Sequence, residues 1–106
     1  MSAVFQALAA PRRREILRLV WDREHSAGDI HRALPEVSFG AVSQHLRVLA
    51  EAKLVTVRRE GRNRHYRLHP RPLRDVVSWI DEFAAFFSQR LDALGEHLDR
   101  KHGKRR

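Results

Sequence analysis

The chain has 106 residues, the length of one small domain, with a formal net charge of +8 and no cysteine. Such a charge is the footprint of a polyanionic partner, although a basic ribosomal or membrane-surface protein would carry it too. Lack of cysteine excludes disulfides and thiolate metal sites, and no apolar run approaches the roughly 20 residues of a membrane span.

The first residues, MSAVFQALAAP, lack the basic start and long apolar run of a signal peptide, so a soluble cytoplasmic protein is expected. Val4, Phe5 and Leu8 make the apolar stripe of a short first helix that Pro11 ends. Pro11 also opens a second helix, predicted to run to about Asp22 with Ile16, Leu17, Val20 and Trp21 buried. Arg12, Arg13 and Arg14 lie outside that stripe and read as a solvated run before they read as phosphate contacts. Ser26 is placed as the N-cap of a third helix, with Asp29 as the acid of a capping box and Ile30, Ala33 and Leu34 on the buried side. Pro35 stops that helix and Ser38 caps the fourth, which gives a helix-turn-helix pair.

The fourth helix carries the most information. With Val42 as the zero of a wheel at about 100° per residue, Leu46 and Leu49 fall within about 40° of it. Gly40, Ser43, Gln44, Arg47 and Glu51 take the other side. A plain solvated face would carry mostly Lys and Glu. Here an amide, a guanidinium, a hydroxyl and a bare glycine suit approach to base edges. The helix should end near Ala52 or Lys53, where a glycine is the usual left-handed cap, and Lys53 stands there instead.

Val55 to Arg58 and Arg64 to Leu68 alternate in polarity as half-buried strands do, around a turn cluster of Glu60, Gly61, Arg62 and Asn63. Arg58, Arg59, Arg62 and Arg64 at the tip face one acid, Glu60. A readable helix followed by an arginine-tipped hairpin is the winged helix-turn-helix arrangement, in which the helix reads the major groove and the hairpin follows the backbone.

From Leu73 the pattern becomes a heptad seam of Leu73, Val77, Ile80, Ala84, Phe87, Leu91, Leu94 and Leu98. Val76, Trp79, Phe83 and Phe86 add a second stripe. About 28 residues make a rod of about 42 Å. One small domain cannot cover both stripes, so burial against a second copy is expected. Residues 101–106 form a basic tail.

FQALAAPRRREILRLV, SAGDI, VSQHLRVLAEAKLV and REGRNRHYRL together resemble the ArsR-type winged-helix repressors over residues 4–68. That resemblance implies a mainly α fold of about five helices with a two-stranded wing, and a dimeric operator-binding repressor of transcription. Carried over residue by residue, the recognition positions are Ser38, Gly40, Ala41, Ser43, Gln44, His45 and Arg47, and the wing positions are Arg58, Arg59, Arg62, Asn63 and Arg64. It also assigns the dimer interface to the first and last helices. Here these offer Val4, Phe5, Leu8, Trp79, Phe83, Phe86, Phe87, Leu91, Leu94 and Leu98.

Many members of the family sense metals through third-helix cysteines or last-helix His and carboxylates. This third helix has no cysteine, and His97 and His102 are five apart, off any shared face. SAGDI and the aromatic last helix look more like the SdpR-like subgroup, a resemblance that implies no metal site, no cofactor and no identified effector. A metal-responsive repressor with an unrecognised His/carboxylate site and a non-specific architectural DNA binder are the competing readings. A winged helix used only for protein contacts fits less well, because the arginine-rich wing is intact. No Ser-His-acid set, phosphate loop or paired carboxylate cleft points to an enzyme.

Overall fold

A computed structural model describes residues 2–102, with side chains to residue 95. The element order is α1 (Ser2–Leu8), α2 (Pro11–Leu19), β1 (His25–Ser26), α3 (Ala27–Ala33), α4 (Phe39–Glu51), β2 (Val55–Glu60), β3 (Asn63–Leu68) and α5 (Arg71–His102). This is the expected winged helix-turn-helix, with five helices and a small antiparallel sheet. It divides into two compact units, residues 1–73 and the chain from Arg74 onward.

The core of the first unit follows the helical stripes. Ile16, Val20, Ile30, Val42, Leu49 and Leu54 have no exposed surface and Leu46 has 1%. Each such aliphatic side chain contributes about 1.5–3 kcal/mol of burial. Ser38 caps α4 by accepting a hydrogen bond from the Ala41 N–H at 3.1 Å. Val37 and Val42, both buried, occupy the two positions of a hydrophobic staple around that cap. The capping box on α3 is complete: Ser26 Oγ accepts from the Asp29 N–H, and the Asp29 carboxylate accepts from the Ser26 N–H. Those bonds, with Arg32 beside it, hold the Asp29 carboxyl below its ordinary range, the Ser26 backbone bond acting most strongly.

Several expectations change at element ends. The second helix stops at Leu19, not near Asp22, and Val20 is its C-cap. Trp21 therefore leaves the apolar stripe and is 52% exposed. In α1 the fully buried residue is Ala7, while Phe5 is 40% exposed. Ala33 is exposed, because it lies off the side of α3 that carries Ile30 and Leu34. The third strand, β1, was not legible. Two residues pair with the wing, His25 opposite Tyr66 and Ser26 opposite His65, giving the order β1-β3-β2.

The arginine run has a structural task. Arg13 donates from Nε to the Ala7 carbonyl at 2.7 Å and from its second terminal nitrogen to the Gln6 carbonyl at 3.0 Å, and Arg14 donates to the Leu8 carbonyl at 2.7 Å. These carbonyls lie at the end of α1, where cations are favoured, and that of Gln6 also accepts from the Ala9 N–H. Arg12 pairs with Glu15 at 3.0 Å and with Glu36 at 2.7 Å, which ties α2 to the turn before α4.

The end of α4 is a complete Schellman motif. Lys53 N–H bonds the Ala50 carbonyl at 3.0 Å and Leu54 N–H bonds the Leu49 carbonyl at 2.9 Å. Lys53 has φ +62°, the left-handed conformation in which a Cβ is unfavourable. Lys53→Gly is expected to stabilise the protein by about 0.5–1 kcal/mol, the relief of that strain less the added freedom of the unfolded chain. Thermal unfolding checks this: a rise of about 4 °C is expected, and a fall would mean the lysine side chain contributes more than its backbone strain takes away.

The second unit is the body of α5. Val77, Trp79, Ile80, Phe83, Phe86, Phe87, Leu91 and Leu94 are each 46–55% exposed. Trp79 stacks on Phe83 with centroids 5.4 Å apart, and Phe83 on Phe87 at 5.8 Å. The Arg90 guanidinium lies over the Phe86 ring at 4.8 Å. The side chains of His97, Leu98 and His102, and residues 103–106 of the basic tail, fall outside the described residues.

Candidate nucleic-acid interface

The wheel drawn from Val42 predicts α4 closely. Val42, Leu46 and Leu49 point into the core, and Gly40, Ser43, Gln44 and Arg47 are exposed. A Cβ added to Gly40 would meet nothing within 4 Å, so the space beside it opens outward. Ala41 and His45 are half-buried, and Ser38 is exposed with its hydroxyl engaged in the cap.

The wing is a two-residue hairpin. Glu60 pairs with Asn63 across Gly61 and Arg62. Gly61 has φ +62°, as the first central residue of a type II′ turn requires. In register, Arg59 faces Arg64 and Arg58 faces His65. Like charges directly opposite one another are destabilising in a free sheet. Arg58 is neutralised: it makes a two-armed contact with Glu24, at 2.9 Å and 3.0 Å for the shorter pairs, and lies 3.5 Å from Glu60. The same pairing holds the Glu24 carboxyl below its usual range. Among the described residues Arg47, Arg59, Arg62 and Arg64 pair with no carboxylate.

These four arginines surround an open groove of about 1200 Å³ between α3, α4 and the wing. Its lining includes Ser43 and Arg47 from α4, Arg59, Arg62, Asn63 and Arg64 from the wing, and Gly28 and Arg32 from α3. Gln44 is exposed on α4 but is not part of that wall. Phe39, Val57 and Tyr66 also line it. Phe39 was not among the predicted positions. Its spacing of four from Ser43 and eight from Arg47 would have placed it on the same side of the helix. Val57, which the alternation places on the buried side of its strand with Val55, is instead 42% exposed at this wall. Glu24, which takes Arg58 out of the free positive set, was also not legible, because 34 residues separate the pair.

His45 sits apart from the groove, with Nδ1 3.4 Å from an Arg13 terminal nitrogen. Burial first, then Arg13 and Arg12, push its pKa below the ordinary value. An unfolded histidine titrates near about 6.5, so below that pH the unfolded chain takes up the proton first. Stability from neutral His45 is complete above about pH 6.5 and is lost progressively below it. Wild type is expected to lose more melting temperature between pH 7.5 and 5.5 than His45→Gln. Equal losses would mean that His45 titrates as it does in the unfolded chain.

A Helix-turn-helix domain model matches residues 8–58. The transcriptional repressor SdpR of Bacillus subtilis is 34% identical over 83 residues, covering 78% of this chain and 91% of that protein. The chain belongs to the ArsR-type winged helix-turn-helix repressors. The HTH-type transcriptional regulator Rv2034 of Mycobacterium tuberculosis is 38% identical over 96 residues, covering 87% of this chain and 89% of its own. Among solved structures, an ArsR-like transcriptional regulator from Rhodococcus sp. RHA1 superposes with a TM-score of 0.80 at 29% identity, covering 93% of this chain and 90% of that one. Membership of this family makes the protein a DNA-binding transcriptional regulator and not an enzyme. No helix of the described residues is long and apolar enough to cross a membrane.

Proposed function

We propose that the protein is a homodimeric, metal-independent repressor that reads a palindromic operator in the cytoplasm. In this reading the outward side of α4, with Gly40, Ser43, Gln44 and Arg47, enters the major groove. Ala41 and His45, half-buried, sit at the margin of that contact, and Ser38 sets its start. The wing residues Arg59, Arg62, Asn63 and Arg64 follow the phosphates, and Arg58 acts mainly by bracing the wing through Glu24. The observation that carries the reading is the set of four arginines without carboxylate partners around one groove. Their mutual repulsion is relieved by a polyanion.

The dimer would close over α1 and the exposed apolar sides of α5. Phe5, the half-buried Leu8 and the aromatic stripe supply surface, while Val4 is only 9% exposed and adds little. Metal independence rests on the sequence: there is no cysteine, and His97 and His102 are five residues apart.

Selection of bound duplexes from a random pool tests the whole proposal. A two-fold symmetric consensus with half-sites about 10 base pairs apart, centre to centre, is expected. Its affinity should not change on adding chelator, zinc, nickel or copper. Enrichment without any consensus would favour architectural binding, and a tenfold change with a stoichiometric metal would favour a metal sensor.

A further inference from the structure

Phe39 has no place in the core. It is the first residue of α4 and is 49% exposed. Its ring makes a T-shaped contact with the His31 ring, with centroids 5.5 Å apart and an interplanar angle of 85°. That contact steadies the ring against α3 while leaving much of it in solvent. Phe39, Ser43 and Arg47 repeat at intervals of four, so they form one stripe along α4, and all three line the groove. Residues at the start of a recognition helix are those that reach base edges. In the major groove the apolar group that base edges offer is the C5-methyl of thymine, which a phenylalanine ring matches. Gly40 beside it adds no side chain that would hold the helix away.

We propose that Phe39 is a specificity-determining residue that selects thymine in each operator half-site by packing on its methyl group. This rests on the DNA-binding reading above. The amide and guanidinium of Gln44 and Arg47 select bases by hydrogen bonds, whereas Phe39 selects by burial of one methyl. A ring that only packed on a deoxyribose would not distinguish thymine from uracil.

The test uses duplexes enriched from a random pool by the wild-type protein. Each thymidine of the consensus is replaced by deoxyuridine in turn, in both half-sites, and affinities are measured for wild type and Phe39→Ala. At one position per half-site, loss of the methyl should weaken wild-type binding about fourfold per half-site and about 15-fold for both. That factor corresponds to the roughly 0.8 kcal/mol of one buried methyl group. Phe39→Ala should bind the thymidine and deoxyuridine duplexes equally, and Phe39→Leu should keep part of the difference. The wild-type measurement stands even if a variant folds poorly. A consensus in which no deoxyuridine change weakens wild type overturns the assignment, as does a Phe39→Ala protein as sensitive as wild type. In the latter case another group, such as Ala41, reads the methyl. A wild-type selection with no consensus overturns this assignment and the operator reading together, whereas the first two outcomes leave the operator reading standing.

Discussion

Leu91→Glu combined with Leu94→Glu is expected to give a folded monomer that has lost tight operator binding. Both leucines are 53% exposed in the single chain, so neither is part of its core. They continue a seam through Val77, Ile80 and Phe87, all of which are about half exposed. Contiguous apolar surface on that scale marks an interface, and a stable one buries about 1,600 Å² in total. Carboxylates in its middle would be buried without partners, which is strongly unfavourable. Loss of the second subunit then removes the gain of joining two half-sites, about 10²–10⁴ in affinity. Light scattering should show two chains for wild type and one for the variant, with helical content retained by circular dichroism. A wild-type mass of one chain in dilute solution would refute the interface.

Gln44→Ala or Arg47→Ala should cost about 1–3 kcal/mol on the operator and little on random DNA. Gln can bond adenine and Arg guanine through two hydrogen bonds each, so these losses depend on sequence. Arg62→Ala and Arg64→Ala should weaken both kinds of DNA alike. Each wing change should also flatten the slope of log K against log salt by up to about one unit per subunit. Arg58→Ala is expected to fall outside this pattern, because its guanidinium is already occupied by Glu24. Titrations of operator and random duplexes at several salt concentrations separate the two classes. If helix variants lost all DNA equally and wing variants lost only the operator, the wing would be the reading element.

How much of this was legible depended on whether the signal was local. The stripes Ile16-Leu17-Val20 and Val42-Leu46-Leu49 repeat within a few residues and are buried as expected. Ser26 and Ser38 are read as caps because a cap needs a partner only three residues on, and both hydrogen bonds are present. Lys53 was marked by the lack of glycine where α4 must end, and it adopts the strained φ. The outward set on α4 and the arginines at the hairpin turn follow from the same short-range periodicity.

Sequence alone determined the helices, the hairpin, the buried stripe of α4 and the family, since these rest on residues within one or two turns of each other; around α1, α2 and α3 it misplaced Phe5, Trp21 and Ala33. Tertiary structure decided which charges remain free. Arg58 and Arg59 are neighbours of the same type, yet Glu24, distant in sequence, neutralises only the first. Arg13 and Arg14 bind the carbonyl end of α1, an arrangement that exists only once the two helices meet at their angle. The spacing of Phe39 places it on the side of Ser43 and Arg47, but only the packed structure shows that no core covers it and that it stays half exposed in the groove. Periodicity fixes the direction of a side chain from its own helix, but what that side chain meets is set by chain segments that fold back from far away.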